Sequence, residues 1–309
     1  MVTTALFVSS GDLIADRRYR WAIDHARRGD LVAAADILAQ TVELAPAFAT
    51  AWFALGAIRD VLGDRAGAVA AFTAARDADP QDYHGARLHL ARLGAGEVAP
   101  QMTTTYVRRL FDQHADDFDA AMRGRLDYRG PELLLAAVRA VAGAALRVGS
   151  LLDLGCGTGL GGAAFRPCAD WLVGVDLSPA MIDQARAKGL YDRLCVLELA
   201  QFLRDEALRD AQYHLVVAAD VFVYCGDLAP IAAAVAGVLA ARGLFAFTVE
   251  THDGRGVLLR ETLRYAHCAD HVRDALQRAG LTALTLESAS TRTEKGVPVC
   301  GLLAVARKS

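Results

Sequence analysis

An apolar run, Leu151–Leu154, ends directly in Gly155-Cys156-Gly157-Thr158-Gly159-Leu160-Gly161, and four glycines in seven residues leave few options for the local fold. A strand turning through such a stretch brings bare backbone to a point where a ligand can approach without meeting a Cβ. The helix that follows points its free N–H groups at the same place. Asp176, at the end of the next apolar run, lies 23 residues beyond Asp153, the spacing of one strand–helix unit. A chain built this way is committed to an α/β domain with a mostly parallel sheet.

The rest of the chain extends that pattern. Seven short apolar runs occur: 151–154, 171–175, 194–197, 214–218, 244–249, 281–286 and 300–306. Helical segments separate the first five, which predicts three layers. Residues 289–299, punctuated by Gly296 and Pro298, separate the last two and predict a terminal antiparallel hairpin. The stretch from Leu133 to Val148 reads as a buried helix.

The 309 residues suit two domains, and 54% hydrophobic against 22% charged residues builds a core easily. A net charge of −3 argues against gripping nucleic acid by phosphate neutralisation. No run approaches the ~20 apolar residues of a membrane span. The run Thr4–Ser9 is too short for a signal peptide and lacks a basic flank. None of the six cysteines has metal-ligand spacing; Cys156, Cys195, Cys225 and Cys300 sit in apolar segments and read as small hydrophobes. Reduced thiols fit a cytoplasmic protein.

The first third repeats. Pro46 and Pro80 lie 34 residues apart, and the same offset lays Ala34 over Ala68 and Leu38 over Phe72. The second copy carries Trp52, Leu55, Gly56, Ala68, Phe72, Ala75 and Pro80. Small Gly56 and Ala68 let two helices approach, Trp52, Leu55 and Phe72 fill the seam, and Pro80 stops the second helix. The first copy has Trp21 and Ala22 at the positions of Leu55 and Gly56. This resembles the tetratricopeptide repeat, with a further helix from Asp82 to about Leu93 closing the apolar end. Such a module either packs or holds a peptide or protein partner.

A glycine loop alone is shared by phosphate and dinucleotide sites. Two features separate this one. Asp153 stands just ahead of the glycines, where an anion would repel a pyrophosphate. The second run continues Asp176-Leu177-Ser178-Pro179-Ala180-Met181, an acid able to take two ribose hydroxyls followed by a helix start. With the terminal hairpin, this resembles the class I S-adenosylmethionine-dependent methyltransferases. The resemblance implies a Rossmann-like, seven-stranded sheet of order 3-2-1-4-5-7-6. It implies S-adenosylmethionine as cofactor and S-adenosylhomocysteine as product. Asp153 would lie near the methionyl amine, with Gly155, Cys156, Gly157 and Gly159 as the cradle. Asp176 would take the ribose in the motif closed by Met181, and Leu177 would pack on adenine. Glu198 and Leu199 would meet the adenine edge, and Asp220 and Tyr224 would face the transferable methyl. Asp176, Glu198 and Asp220 are also each consistent with helix-capping acids.

Ahead of the first strand, Tyr106, Phe111, Ala115 and Phe118 keep helical spacing and predict a lid helix, or else core packing. Leu126-Asp127-Tyr128-Arg129-Gly130-Pro131-Glu132-Leu133-Leu134 follows. With the repeats, this arrangement is similar to a bacterial family of predicted methyltransferases carrying tetratricopeptide repeats. The expected organisation is a repeat module over 1–93, a linker over 94–105 and a methyltransferase domain over 106–309, its lid helices spanning 106–148.

In-line methyl transfer relies on positioning and, for some acceptors, on a base. Asp220, Tyr224, His252 and His267 are the candidates. No Asn/Asp-Pro-Pro-aromatic motif follows the fourth run, Pro167-Cys168 is misplaced for cytosine chemistry, and no basic aromatic stripe suggests RNA. A small molecule or a protein side chain remains as acceptor. The competing readings are a repeat scaffold with a cofactor-binding but silent domain, and a nicotinamide-dependent oxidoreductase, against which the hairpin and the Asp176–Met181 motif both argue.

Overall fold

The computed structural model describes residues 7–309, so part of the Thr4–Ser9 run lies outside the described residues. The chain divides into two units, the first ending at Ala99 and the second running from Pro100 to Ser309.

In the first unit, α1 (Leu13–Arg27), α2 (Leu31–Leu44), α3 (Ala49–Val61) and α4 (Arg65–Ala78) make two helical pairs, followed by α5 (Ala86–Arg92). The turns within the pairs are built alike. Gly29 and Gly63 take φ of 87° and 80°. The next residues, Asp30 and Asp64, cap their helices by accepting the N–H groups of Ala33 and Gly67. The close approach of α3 to α4 needs Gly56, because a Cβ there would stand 2.8 Å from the Phe72 ring. Leu55 and Phe72 are buried. Trp52 is only half-buried, its indole N–H donating to the Pro46 carbonyl, and Trp21 is exposed. The last helix begins at Ala86 rather than Asp82, since Asp82 (φ 54°) and Gly85 (φ 79°) occupy left-handed conformations that interrupt it.

The second unit opens with α6 (Thr104–Asp112), a single turn α7 (Phe118–Ala120) continued by a π-turn over Ala121–Arg125, and α8 (Gly130–Ala142). The alternating part follows: β1 (Val148–Leu154), α9 (Leu160–Phe165), β2 (Ala169–Asp176), α10 (Pro179–Ala187), β3 (Arg193–Val196), α11 (Leu199–Leu208), β4 (Tyr213–Ala218), α12 (Ala229–Val238) and β5 (Leu239–Glu250). Then come β6 (Val257–Leu259), β7 (Tyr265–His267), α13 (Ala269–Arg278), β8 (Leu281–Ala289), β9 (Thr293–Glu294), β10 (Val297–Pro298) and β11 (Gly301–Lys308).

The sheet runs β3-β2-β1-β4-β5-β11-β8. The first five strands are parallel, and β11 is antiparallel to both neighbours. Its seven long strands therefore keep the order 3-2-1-4-5-7-6, but the sheet is mixed and nine-stranded. A small antiparallel hairpin, β6–β7, joins it through Glu250 opposite Ala266. Three-residue strands are too short for alternation to reveal them. Successive side chains of β1 go to opposite faces. Leu152 and Leu154 bury against α11–α13 and Leu151 against α8 and α9, giving the three layers.

The lid is not one helix. α6 ends at Asp112, and the chain turns through 113–117 before α7. Asp112, the last residue of α6, and Asp119, within α7, tie the strap to the rest of the unit. Asp112 accepts from the Ser178 hydroxyl. Asp119 accepts from the Thr158 hydroxyl at 2.5 Å and from Lys188 Nζ at 2.6 Å. All six cysteines are unpaired; Cys300, expected to be buried, is exposed. Among the described residues no helix is long and apolar enough to cross a membrane, and no cluster of His, Cys, Asp and Glu could hold a metal ion.

Candidate active site

The C-terminal ends of β1, β2, β3 and β4 open into a cavity of about 580 Å3, with the strap along its other side. Open α/β sheets bind ligands at this edge. Asp153, Gly155, Cys156 and Gly157 line it from β1, Asp176 and Leu177 from β2, Glu198 and Leu199 from β3, and Asp220 and Tyr224 from β4. Gly159 and Met181 do not. Gly159 (φ 91°) is the turn residue ahead of α9, and Met181 is fully buried behind Ser178, whose hydroxyl accepts its N–H.

The glycine loop is a cradle that side chains would fill. Gly157 (φ 52°) has open space where a Cβ would stand. Gly155 (φ 65°) lets Val221 close in, and a Cβ there would sit 2.6 Å from it. Asp176 fixes the loop from below. One carboxylate oxygen accepts the Gly157 N–H and the other the Ser178 N–H, each at 2.9 Å. Burial raises its pKa, partly offset by those N–H groups. The remaining lone pairs suit a pair of vicinal hydroxyls, so the residues present fit a ribosyl cofactor. Glu198 is both cavity wall and helix cap, its two oxygens taking the N–H groups of Ala200 (2.9 Å) and Gln201 (2.8 Å).

Asp153 turns under the loop. Its carboxylate accepts the Tyr191 hydroxyl at 2.6 Å, and that hydroxyl accepts the Gly162 N–H at 2.9 Å. Burial pushes Asp153 up to about 7 despite the Tyr191 hydrogen bond. The Tyr191 ring is wedged between α9 and β2, and a Cβ would stand 2.5 Å from it at Gly162 and 2.8 Å at Gly174.

The acceptor-side candidates separate sharply. Asp220 sits in a left-handed conformation (φ 57°). Its carboxylate receives the hydroxyls of Thr248 (2.8 Å) and Thr291 (2.8 and 3.0 Å) and the Arg292 guanidinium (2.9 Å). Arg292 also holds Glu250 and Glu294, and Arg260 and Arg264 face Glu250 at 3.4 and 3.7 Å. These partners occupy the carboxylate's lone pairs from the protein side. Tyr224 stacks edge-on to Phe111, ring centroids 5.4 Å apart. Neither His252 nor His267 lines the cavity. His252 closes a loop on itself, accepting the Gly254 N–H and donating to the Gly256 carbonyl. His267 is fully buried, donates to the Cys225 carbonyl at 2.8 Å, and is pushed down to about 4 by burial. The residues missed from sequence are Tyr191, Arg292, Thr291 and Tyr128. Only the last stood in a motif, and the others act across long separations.

Residues 152–245 match the profile of a methyltransferase domain. Methyltransferase-like protein 27 of Homo sapiens is 29% identical over 194 residues, covering 62% of this chain and 73% of that protein. A solved structure of the Burkholderia thailandensis 1,6-didemethyltoxoflavin-N1-methyltransferase, with 1,6-didemethyltoxoflavin and S-adenosylhomocysteine bound, superposes with a TM-score of 0.55 at 19% identity. The match covers 70% of this chain and 92% of that one. The fold is that of a Rossmann-like methyltransferase with a mixed sheet. The protein is an S-adenosylmethionine-dependent methyltransferase, and S-adenosylmethionine is its cofactor.

Proposed function

We propose that this enzyme methylates a small molecule enclosed between the strap and the end of β4. The observation that carries the reading is the cavity itself, floored by the buried Asp176 and the bare glycine loop and faced by a strap tied down at Asp112 and Asp119. A wall held at several points suits an acceptor small enough to be surrounded, and disfavours a side chain presented on a protein surface. The toxoflavin-precursor enzyme acts on a small molecule and supports this by likeness of fold.

The roles follow from position. Asp176 accepts the ribose hydroxyls, and Gly155, Cys156 and Gly157 offer backbone to the methionyl end. Leu177, Glu198 and Leu199 frame the adenine. Phe111, Phe118 and Tyr224 bound the acceptor and exclude water. When bound, the cofactor supplies a methyl already activated by its sulfonium. The chain's task is then to hold the acceptor atom in line with it. Asp220 positions the end of β4 through Arg292 and does not take the proton. The imidazole that lines the cavity is that of His114, which serves acceptors that must lose a proton. We read residues 1–93 as a tetratricopeptide-type module, 94–105 as a linker and 106–309 as the catalytic domain, in a cytoplasmic protein. The 34-residue recurrence of Gly29 and Gly63, of Asp30 and Asp64, and of Pro46 and Pro80 supports the module.

Calorimetric titration of the full chain with S-adenosylmethionine, S-adenosylhomocysteine and NADH tests the site. The expected result is micromolar binding of the first two, lost in Asp176→Ala, and none of NADH. Binding unaffected by Asp176→Ala would overturn the assignment of this cavity.

A further inference from the structure

The motif Leu126-Asp127-Tyr128-Arg129-Gly130-Pro131 is left without a part by the roles above. The structure gives it one. The segment is fixed by its backbone on both sides. The Tyr128 N–H donates to the Met122 carbonyl at 3.0 Å, the Arg129 N–H to the Thr291 carbonyl at 2.8 Å, and the Thr293 N–H to the Leu126 carbonyl at 2.7 Å. Asp127 turns the chain through a φ of 46°. The phenol ring then folds back over Gly130, where a Cβ would stand 2.6 Å from the hydroxyl oxygen and 2.7 Å from the carbon that bears it. Glycine at 130 is thus the condition for the ring's position.

That position is on the cavity wall. Burial, and then the charges of Asp220 and Asp153, hold the phenol well above its usual range, so it stays a neutral hydroxyl at any physiological pH. Among the described residues its oxygen has no hydrogen-bond partner, whereas the cavity's other tethered polar groups, Asp176, Glu198 and Asp220, are all engaged. A cavity-wall hydroxyl without a protein partner is left to bond what the cavity holds.

Resting on the cofactor assignment above, we propose that the Tyr128 hydroxyl donates a hydrogen bond to the α-carboxylate of the bound cofactor, and that Gly130 exists to let it do so. The amino-acid end of the cofactor is a zwitterion. Its ammonium belongs on the side of the acids Asp153 and Asp220, and its carboxylate needs a donor there that is not itself charged. Tyr128 is a neutral donor next to those acids.

The test compares S-adenosylmethionine and S-adenosylhomocysteine, which carry the carboxylate, with decarboxylated S-adenosylmethionine, which does not. Tyr128→Phe should weaken the first two about tenfold or more and leave the third within about twofold, as expected for a hydrogen bond to a charged group. Gly130→Ala keeps the hydroxyl but displaces the ring and should give the same split. Equal weakening of all three ligands, or no change in any, overturns the proposal. So does wild-type protein that binds decarboxylated S-adenosylmethionine as tightly as the intact cofactor. Failure of the cofactor assignment looks different: Asp176→Ala would then leave all three ligands binding as before.

Discussion

Replacing Arg292 with methionine should unfold the second unit several degrees earlier without touching the glycine loop. Arg292 is 4% exposed and bonds Asp220 at 2.9 Å, Glu294 at 3.2 Å and Glu250. Removing one partner of a buried ion pair costs about 3–5 kcal/mol, because the other charge is left unpaired in a poor solvent. Two compensations point to the lower end. Arg260 and Arg264 still face Glu250 at 3.4 and 3.7 Å, and Asp220 keeps the Thr248 and Thr291 hydroxyls. Taking about 3 kcal/mol, and about 2–4 °C per kcal/mol for a domain of this size, the melting temperature should fall by roughly 6–12 °C. Arg292→Lys, which keeps a charge but not the fork, should fall between. Thermal and urea unfolding followed by circular dichroism reads both variants. A loss below about 1 kcal/mol for the methionine variant would show that Arg292 is not a buried ion-pair partner, since that is the scale of an ordinary surface change.

Two further outcomes are expected. Gly162→Ala lies in a helix, where alanine alone would add about 1 kcal/mol of stability, but its Cβ would stand 2.5 Å from the Tyr191 ring. A net loss of about 1–3 kcal/mol in urea unfolding is therefore predicted, and a gain would show that Tyr191 yields freely. Asp153→Asn should stabilise the protein more at pH 8 than at pH 5. Asp153 is raised from the usual 3.8 to about 7, so its favourable contribution is full below about 4 and is lost as pH rises through 7. A pH-independent difference between variant and wild type would contradict that.

What could be read before the structure was what lies in one contiguous stretch. The glycine loop, the Asp176–Met181 motif and the terminal hairpin are local patterns, and each fixes a strand end and its turn. On the acceptor side the partners of each candidate are distant in sequence. Nothing local marks Asp220 as tied to Arg292, 72 residues away, or Asp153 as tied to Tyr191, 38 residues away. His252 and His267 stood near the right strand end, but a self-closed loop and a buried backbone bond claim them. The lid stripe had helical spacing, yet the chain leaves the helix after Asp112 and turns through 113–117, and Asp112 and Asp119 on either side bond Ser178, Thr158 and Lys188. The β6–β7 hairpin left no periodic trace because three residues hold no period.

Under the proposed function the methyl goes to an enclosed small molecule. The direct measurement is to incubate the enzyme with methyl-labelled S-adenosylmethionine and a cell extract split into a low-molecular-weight filtrate and a macromolecular fraction. Enzyme-dependent label should enter the filtrate and be lost with Asp176→Ala. Label entering protein in the macromolecular fraction, with none in the filtrate, would make a protein side chain the acceptor instead.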